Sequence, residues 1–238
     1  MGEEGVGRSG ETVAKVVAAV PREEERALEY VVLTDSNGRG MRPDNIKAHI
    51  PRDQRDRFDI RVEIVYTLME VCGRLERGGL GVCGKAVILD VGTNDVRGTA
   101  GVPWVRPGEV GGRFEMVAQL LLEKGAVGVV GCEVKPMKFM DVTPYSRAIH
   151  TACLRLRAHG HRVHGCQTQT GVSHLGKDGY HILPSFAGVL DRTYACAIMG
   201  VPVPCPTPSW DKYRGVELGG GWPTPREAQG QGNRHGRG

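Results

Sequence analysis

From Tyr30 onward the chain alternates two kinds of apolar pattern. Short continuous runs closed by turn residues read as strands buried on both faces of a sheet, and stretches with an apolar residue every third or fourth position read as amphipathic helices. "YVVLT" (Tyr30–Thr34) is the first run, ended by Asp35, Ser36, Asn37 and Gly38. The alternating "DIRVEIVY" (Asp59–Tyr66) predicts a second strand. The helix behind it carries Leu68, Val71, Cys72 and Leu75 on one face, with Thr67 and Glu70 as a capping box and Gly78 as a stop.

"KAVILDVG" (Lys85–Gly92) is the most apolar run and predicts the central strand. A loop rich in glycine and proline follows over Gly98–Gly112, then a helix with Phe114, Val117, Ala118, Leu121 and Leu122 on one face, closed by Gly125. "AVGVVG" predicts a fourth strand and "HRVHGC" a fifth. Between them lies a helix capped by Thr143, with Pro144 in its first turn, a stripe from Tyr145 to Leu156, and Gly160 as terminator. The last helix opens at Pro184 and turns Phe186, Val189, Leu190 and Tyr194 inward. Strand and helix in alternation predict an α/β fold: a doubly wound sheet of about five parallel strands with helices on both faces.

The periodic region fills residues 29–199 and reads as one domain. Residues 1–28 read as an N-terminal arm, and 200–238 as a Pro/Gly-rich tail whose composition predicts disorder.

The 238 residues carry a net charge of +4 with acids and bases interspersed, so charge alone does not select nucleic acid as a partner. No apolar run approaches the roughly 20 residues that span a bilayer. The acidic, Gly-rich start "MGEEGVGRSGE" lacks the form of a secretory signal, and the expectation is an intracellular protein, cytoplasmic or nuclear. The seven cysteines are odd in number and never form Cys-x-x-Cys, as reduced core thiols would be.

Three polar stretches fall where chemistry collects in such a sheet, at the carboxyl ends of strands. "TDSNGR" ends the first strand, "GTNDVRG" follows the third, and "GKDGYH" precedes the last helix. Ser36 reads either as a turn residue or as a nucleophile. A serine hydroxyl needs a base, and the base a group that fixes its tautomer. Asp178 and His181, three residues apart, supply such a pair. The Ser36 N–H and the Asn94 amide are candidate donors to a developing oxyanion.

Other polar groups carry less. Asp35 reads as a structural turn residue, and Arg39 as either its ion-pair partner or a substrate contact. Arg97, Lys135 and Lys138 lie in loops at the same edge and read as solvated cations in preference to an anion site. "KPMKFMD" is a substrate lip or a loop packed on the domain. His159, His161 and His164 lack the carboxylate or cysteine that would complete a metal set, so no metal or cofactor is expected.

In order and spacing, "TDSNG", "VGTND" and "DGYH" resemble the motifs of the SGNH (GDSL-type) hydrolases over about Tyr30–Ile198. The resemblance implies a flavodoxin-like sheet and an esterase acting on a small or acylated ester. By it Ser36 is the nucleophile, His181 the base, Asp178 its partner and Asn94 an oxyanion donor, with Asn37, Gly92 and Asp95 at the substrate. Blocks of this form are also similar to esterase-like modules in open reading frames of some LINE retroelements. One block departs: the family places a glycine after the second strand, where this chain has Tyr66 and Thr67. That departure keeps open an alternative, an inactive module of the same fold that binds nucleic acid or protein.

Overall fold

The chain lays down its strands as β1 Leu28–Thr34, β2 Phe58–Ile64, β3 Ala86–Asp90, β4 Gly128–Cys132 and β5 Val163–Cys166. They form one sheet in the order β2-β1-β3-β4-β5, and every pairing is parallel. The computed structural model describes residues 27–97, 105–168 and 170–200. Residues 1–26 of the expected arm, 201–238 of the expected tail and 98–104 of the loop after the third strand lie outside the described residues, while Leu28, expected in the arm, opens β1.

Helices α1 Pro43–Ala48, α2 Leu68–Glu76, α3 Thr93–Arg97, α4 Pro107–Glu123, α5 Thr143–Ala158 and α6 Ala187–Met199 connect or follow the strands. Successive residues of β1 point to opposite faces. Val31 and Leu33 join a core with α2, α4 and α5, while Tyr30 and Val32 join a second core with α1 and α6. Burial of each such aliphatic side chain contributes about 1.5–3 kcal/mol, which two-sided coverage supplies along the whole of β3.

Several element ends differ from the sequence reading, and three of the differences have a visible cause. Helix α4 begins at Pro107, inside the stretch expected to be loop, because proline suits the first helical position and the Glu109 carboxylate accepts the Arg106 N–H at 3.1 Å. Its Gly111 is there for close packing: a Cβ would lie 3.1 Å from the Ala148 carbonyl oxygen of α5. Thr143 is the first residue of α5 and not its cap, and its N–H donates to Asp141 at 2.9 Å. The last helix starts at Ala187 after a 3₁₀ turn at Pro184–Phe186, so Phe186 and Val189 are half-buried while Leu190 and Tyr194 enter the core.

Candidate active site

At the end of β1 the chain turns through a short 3₁₀ helix, Ser36–Gly38, capped by the Asp35 carboxylate, which accepts the Asn37 N–H at 2.9 Å. The turn sits so close to the strand that a Cβ on Gly38 would lie 2.2 Å from the Thr34 methyl, so only glycine fits. This fixes the direction of Ser36. The Ser36 N–H makes no hydrogen bond to any other described residue.

The loop before α6 folds back on itself. Leu175 and Ile182 form an antiparallel bridge, the Gly176 N–H donates to the His181 carbonyl at 2.8 Å, and the Leu183 N–H to the His174 carbonyl at 2.9 Å. Inside this loop Asp178 Oδ1 accepts the N–H groups of Tyr180 and His181, and Oδ2 lies 2.5 Å from His181 Nδ1. The Tyr180 N–H, the imidazole and the His181 N–H hold the Asp178 carboxyl well below the usual carboxylate range. His181 Nε2 faces Ser36 Oγ at 3.0 Å, across 145 positions of sequence. Both Asp178 and His181 are about half exposed, so the pair opens directly to solvent.

Asn94 lies in α3 beyond β3, and its amide nitrogen donates to the Tyr66 carbonyl at 2.9 Å. One amide hydrogen is thereby used and one is left. Gly92 precedes it at φ +140, a conformation that L side chains rarely adopt, between the Val134 and Ile149 side chains. The Tyr66 N–H, at the position where the resemblance calls for a glycine, donates to the Glu70 carboxylate at 2.8 Å.

Two residues expected at the substrate are committed elsewhere. Asp95 is buried, where its carboxylate accepts the Leu68 N–H at 2.9 Å and lies 3.5 Å from Arg113. It joins α3 to the start of α2. Burial pushes its carboxyl up, with the Leu68 N–H and Arg113 opposing. Asn37 donates to Asp35 at 3.1 Å and accepts the Ile182 N–H at 2.8 Å, so its side chain ties the serine turn to the histidine loop.

Lys135, expected to be solvated, is 1 % exposed. Its ammonium lies 2.8 Å from Asp90 Oδ2 and 3.2 Å from Asp35 Oδ1. Burial works against the charge, yet the two carboxylates hold the ammonium protonated well above the ordinary lysine range. Thr34 and Tyr194 also donate to Asp90. The signal was in the sequence: two carboxylates, Asp35 and Asp90, end adjacent apolar strands, and buried charges of one sign require a counter-charge. Arg39 does not pair with Asp35; its guanidinium donates to the Tyr66 hydroxyl at 3.1 Å. In "KPMKFMD", Met137 packs into the core while Phe139 faces outward.

No protein-family model matches the chain, and no curated protein matches it by sequence. Solved structures do match its fold. An alpha/beta hydrolase from the metagenome of Lake Arreo, Spain, is 14% identical at a TM-score of 0.54, covering 73% of this chain and 96% of its own. A family 3 carbohydrate esterase of Clostridium thermocellum is 11% identical at a TM-score of 0.53, covering 71% and 94%. A candidate GDSL-like lipase of Parabacteroides merdae is 10% identical at a TM-score of 0.56, covering 73% and 97%. At such identities the likeness carries the fold; the similarity to LINE modules rests on the sequence blocks alone.

Proposed function

We propose that this chain, whose fold is that of the SGNH (GDSL-type) hydrolases, cleaves an acetyl or short acyl carboxylic ester through an acyl-serine intermediate. The observation that carries the reading is the Ser36 Oγ to His181 Nε2 separation of 3.0 Å, with Asp178 on the opposite ring nitrogen.

In attack, Ser36 Oγ bonds the ester carbonyl carbon while His181 Nε2 takes the hydroxyl proton. Asp178, ionised throughout the neutral range, keeps the Nδ1 proton in place and stabilises the imidazolium. The carbonyl oxygen gains charge as the tetrahedral intermediate forms. The Ser36 N–H and the second hydrogen of the Asn94 amide are its donors, whereas the Tyr66 N–H is engaged by Glu70. Collapse expels the alcohol, protonated by His181. Water then bonds the acyl carbon as His181 takes its proton, and the bond to Ser36 Oγ breaks as His181 returns that proton to the oxygen, releasing the acid. Every step uses groups of the chain and water.

Purified full-length protein, a fluorophosphonate probe and p-nitrophenyl acetate test the reading. Labelling at Ser36 and turnover, both lost in Ser36→Ala, are expected. Protein that neither labels nor turns over a short ester sinks it. One observation favours a second reading, a binding module without turnover: the carboxylate of Glu70 on the amide at the second-block position. RNA binding that weakens with salt and persists in Ser36→Ala, without hydrolysis in the unaltered chain, supports that alternative.

A further inference from the structure

We infer that the ester taken by this site carries a negative charge, a carboxylate or phosphate on its acyl or alcohol part. The inference rests on the hydrolase reading above and names its substrate class.

Among the described residues three cations lie over aromatic rings: Arg39 over Tyr66 at 5.8 Å, Arg97 over Tyr180 at 4.2 Å and Lys138 over Phe139 at 5.8 Å. All three pairs stand on the loops that build the site. Arg39 closes the turn that carries Ser36, and the carbonyl of its partner Tyr66 holds the Asn94 amide. Arg97 ends the helix of Asn94, and its partner Tyr180 sits between Asp178 and His181 with its N–H on Asp178. The Lys138 N–H donates to the Gly179 carbonyl at 2.9 Å, and the Phe139 ring packs against the same glycine.

Five acids of this edge are committed to partners, while a sixth, Asp141, is exposed and accepts the Thr143 N–H. Asp35 and Asp90 are buried on Lys135, and Asp95 on the Leu68 N–H and Arg113. Glu70 is bound to the Tyr66 N–H, and Asp178 to His181 and two backbone N–H groups. The cations remain exposed, and neither arginine nor Lys138 is in an ion pair among the described residues.

At this edge three exposed cations, Arg39, Arg97 and Lys138, therefore stand against two exposed carboxylates, Asp178 and Asp141. Aromatic faces add a second effect: they hold long side chains in one place, so less freedom is lost when an anion binds, and Arg39 is held further by its bond to the Tyr66 hydroxyl. A neutral ester gains nothing from this arrangement. An anionic one is attracted by cations carried on the serine turn, at the end of the Asn94 helix and beside Gly179 of the histidine loop.

The test uses two acetyl esters of one shape, 4-acetoxybenzoate and its uncharged methyl ester, with full-length protein at low salt. The expected result is a kcat/KM ratio favouring the anion by about fivefold, the sum of several exposed charge contacts. The ratio falls toward one in Arg39→Gln and Arg97→Gln variants of unchanged melting temperature, and as salt is added. Equal turnover of both esters by the unaltered protein overturns the inference and leaves the hydrolase reading standing. Turnover of neither, with no labelling of Ser36, removes the hydrolase reading and the inference with it. A single-stranded RNA that binds tightly at low salt, loses affinity in the arginine variants and accompanies equal ester turnover assigns the cations to nucleic acid and also overturns it.

Discussion

The side-chain oxygen of Asn37 accepts the backbone N–H of Ile182 at 2.8 Å. The neighbour of the serine thus holds the neighbour of the histidine. Asn37 is fixed in turn by Asp35, and Asp35 by the buried Lys135. A continuous set of bonds therefore runs from the core beneath the sheet edge to the two groups that must meet for proton transfer.

Asn37→Ala tests that tie. Losing one part-buried hydrogen-bond pair costs about 1 kcal/mol of stability. A loosened separation costs more in rate, and kcat is expected to fall by about tenfold to a hundredfold with KM little changed. Steady-state kinetics beside thermal melts check it. A kcat that stays within twofold removes the positioning role.

Lys135→Met leaves Asp35 and Asp90 in the core without a counter-charge. Removing one partner of a buried ion cluster costs about 3–5 kcal/mol. Urea unfolding should show that loss, and adding Asp35→Asn and Asp90→Asn to the variant should recover part of it. No recovery would mean that the ammonium acts through packing and not through charge.

Asp178→Asn keeps the shape of the histidine loop and removes the charge that fixes the Nδ1 proton. A drop in kcat/KM of about a thousandfold or more is expected. Because its hydrogen bonds keep Asp178 ionised well into the acid range, loss of the Asp178 charge should leave no inflection in the kcat/KM profile above about pH 4. An inflection there that disappears in Asp178→Asn contradicts this.

Glu70→Ala releases the Tyr66 N–H at the strand end where Asn94 is anchored. One more oxyanion donor is worth about tenfold or more in kcat. The same change removes the Tyr66 hydrogen bond and the Glu70–Arg74 ion pair at a cost of about 1 kcal/mol. Faster turnover by a less stable protein is therefore the expected pairing. Unchanged kcat with a lowered melting temperature limits Glu70 to bracing the start of α2.

Glu133 gives the stability curve a sign that can be checked. Burial pushes its carboxyl from 4.5 up to about 7, opposed only by the Thr168 N–H. Across that window the folded state keeps a proton that the unfolded state has released, so stability declines as pH rises and levels off above it. Glu133→Gln should remove this slope and be the more stable protein at pH 8, by an amount on the order of 1 kcal/mol. Melting temperatures measured from pH 5 to pH 8 decide it.

The strands and the long helices were legible because their signal is local. An uninterrupted run such as "AVILD" has to be buried on both faces, and the spacing of Phe114, Val117, Ala118 and Leu121 can only be one side of a helix. The proximity of Ser36, Asp178 and His181 was legible through the order of their motifs. What escaped was set by partners distant in sequence. Lys135 looked like a loop cation until two strand-end carboxylates stood beside it, and Asp95 looked available until the N–H of Leu68 claimed it. Helix α1 escaped for another reason. It is six residues long, and Ile46 is its single buried residue, too little for a period to register.

The loop from His174 to Leu183 closes on itself through its own backbone and carries the imidazole and its carboxylate together. It forms a cassette, tied to the segment leading into it through Gly171 and His174. Among the bonds described above the cassette is seated at three, Ile182 on Asn37, His181 on Ser36 and the Lys138 N–H on the Gly179 carbonyl. Grafts between chains of this fold should therefore be cut outside His174 and Leu183, and they require an asparagine beside the recipient's serine.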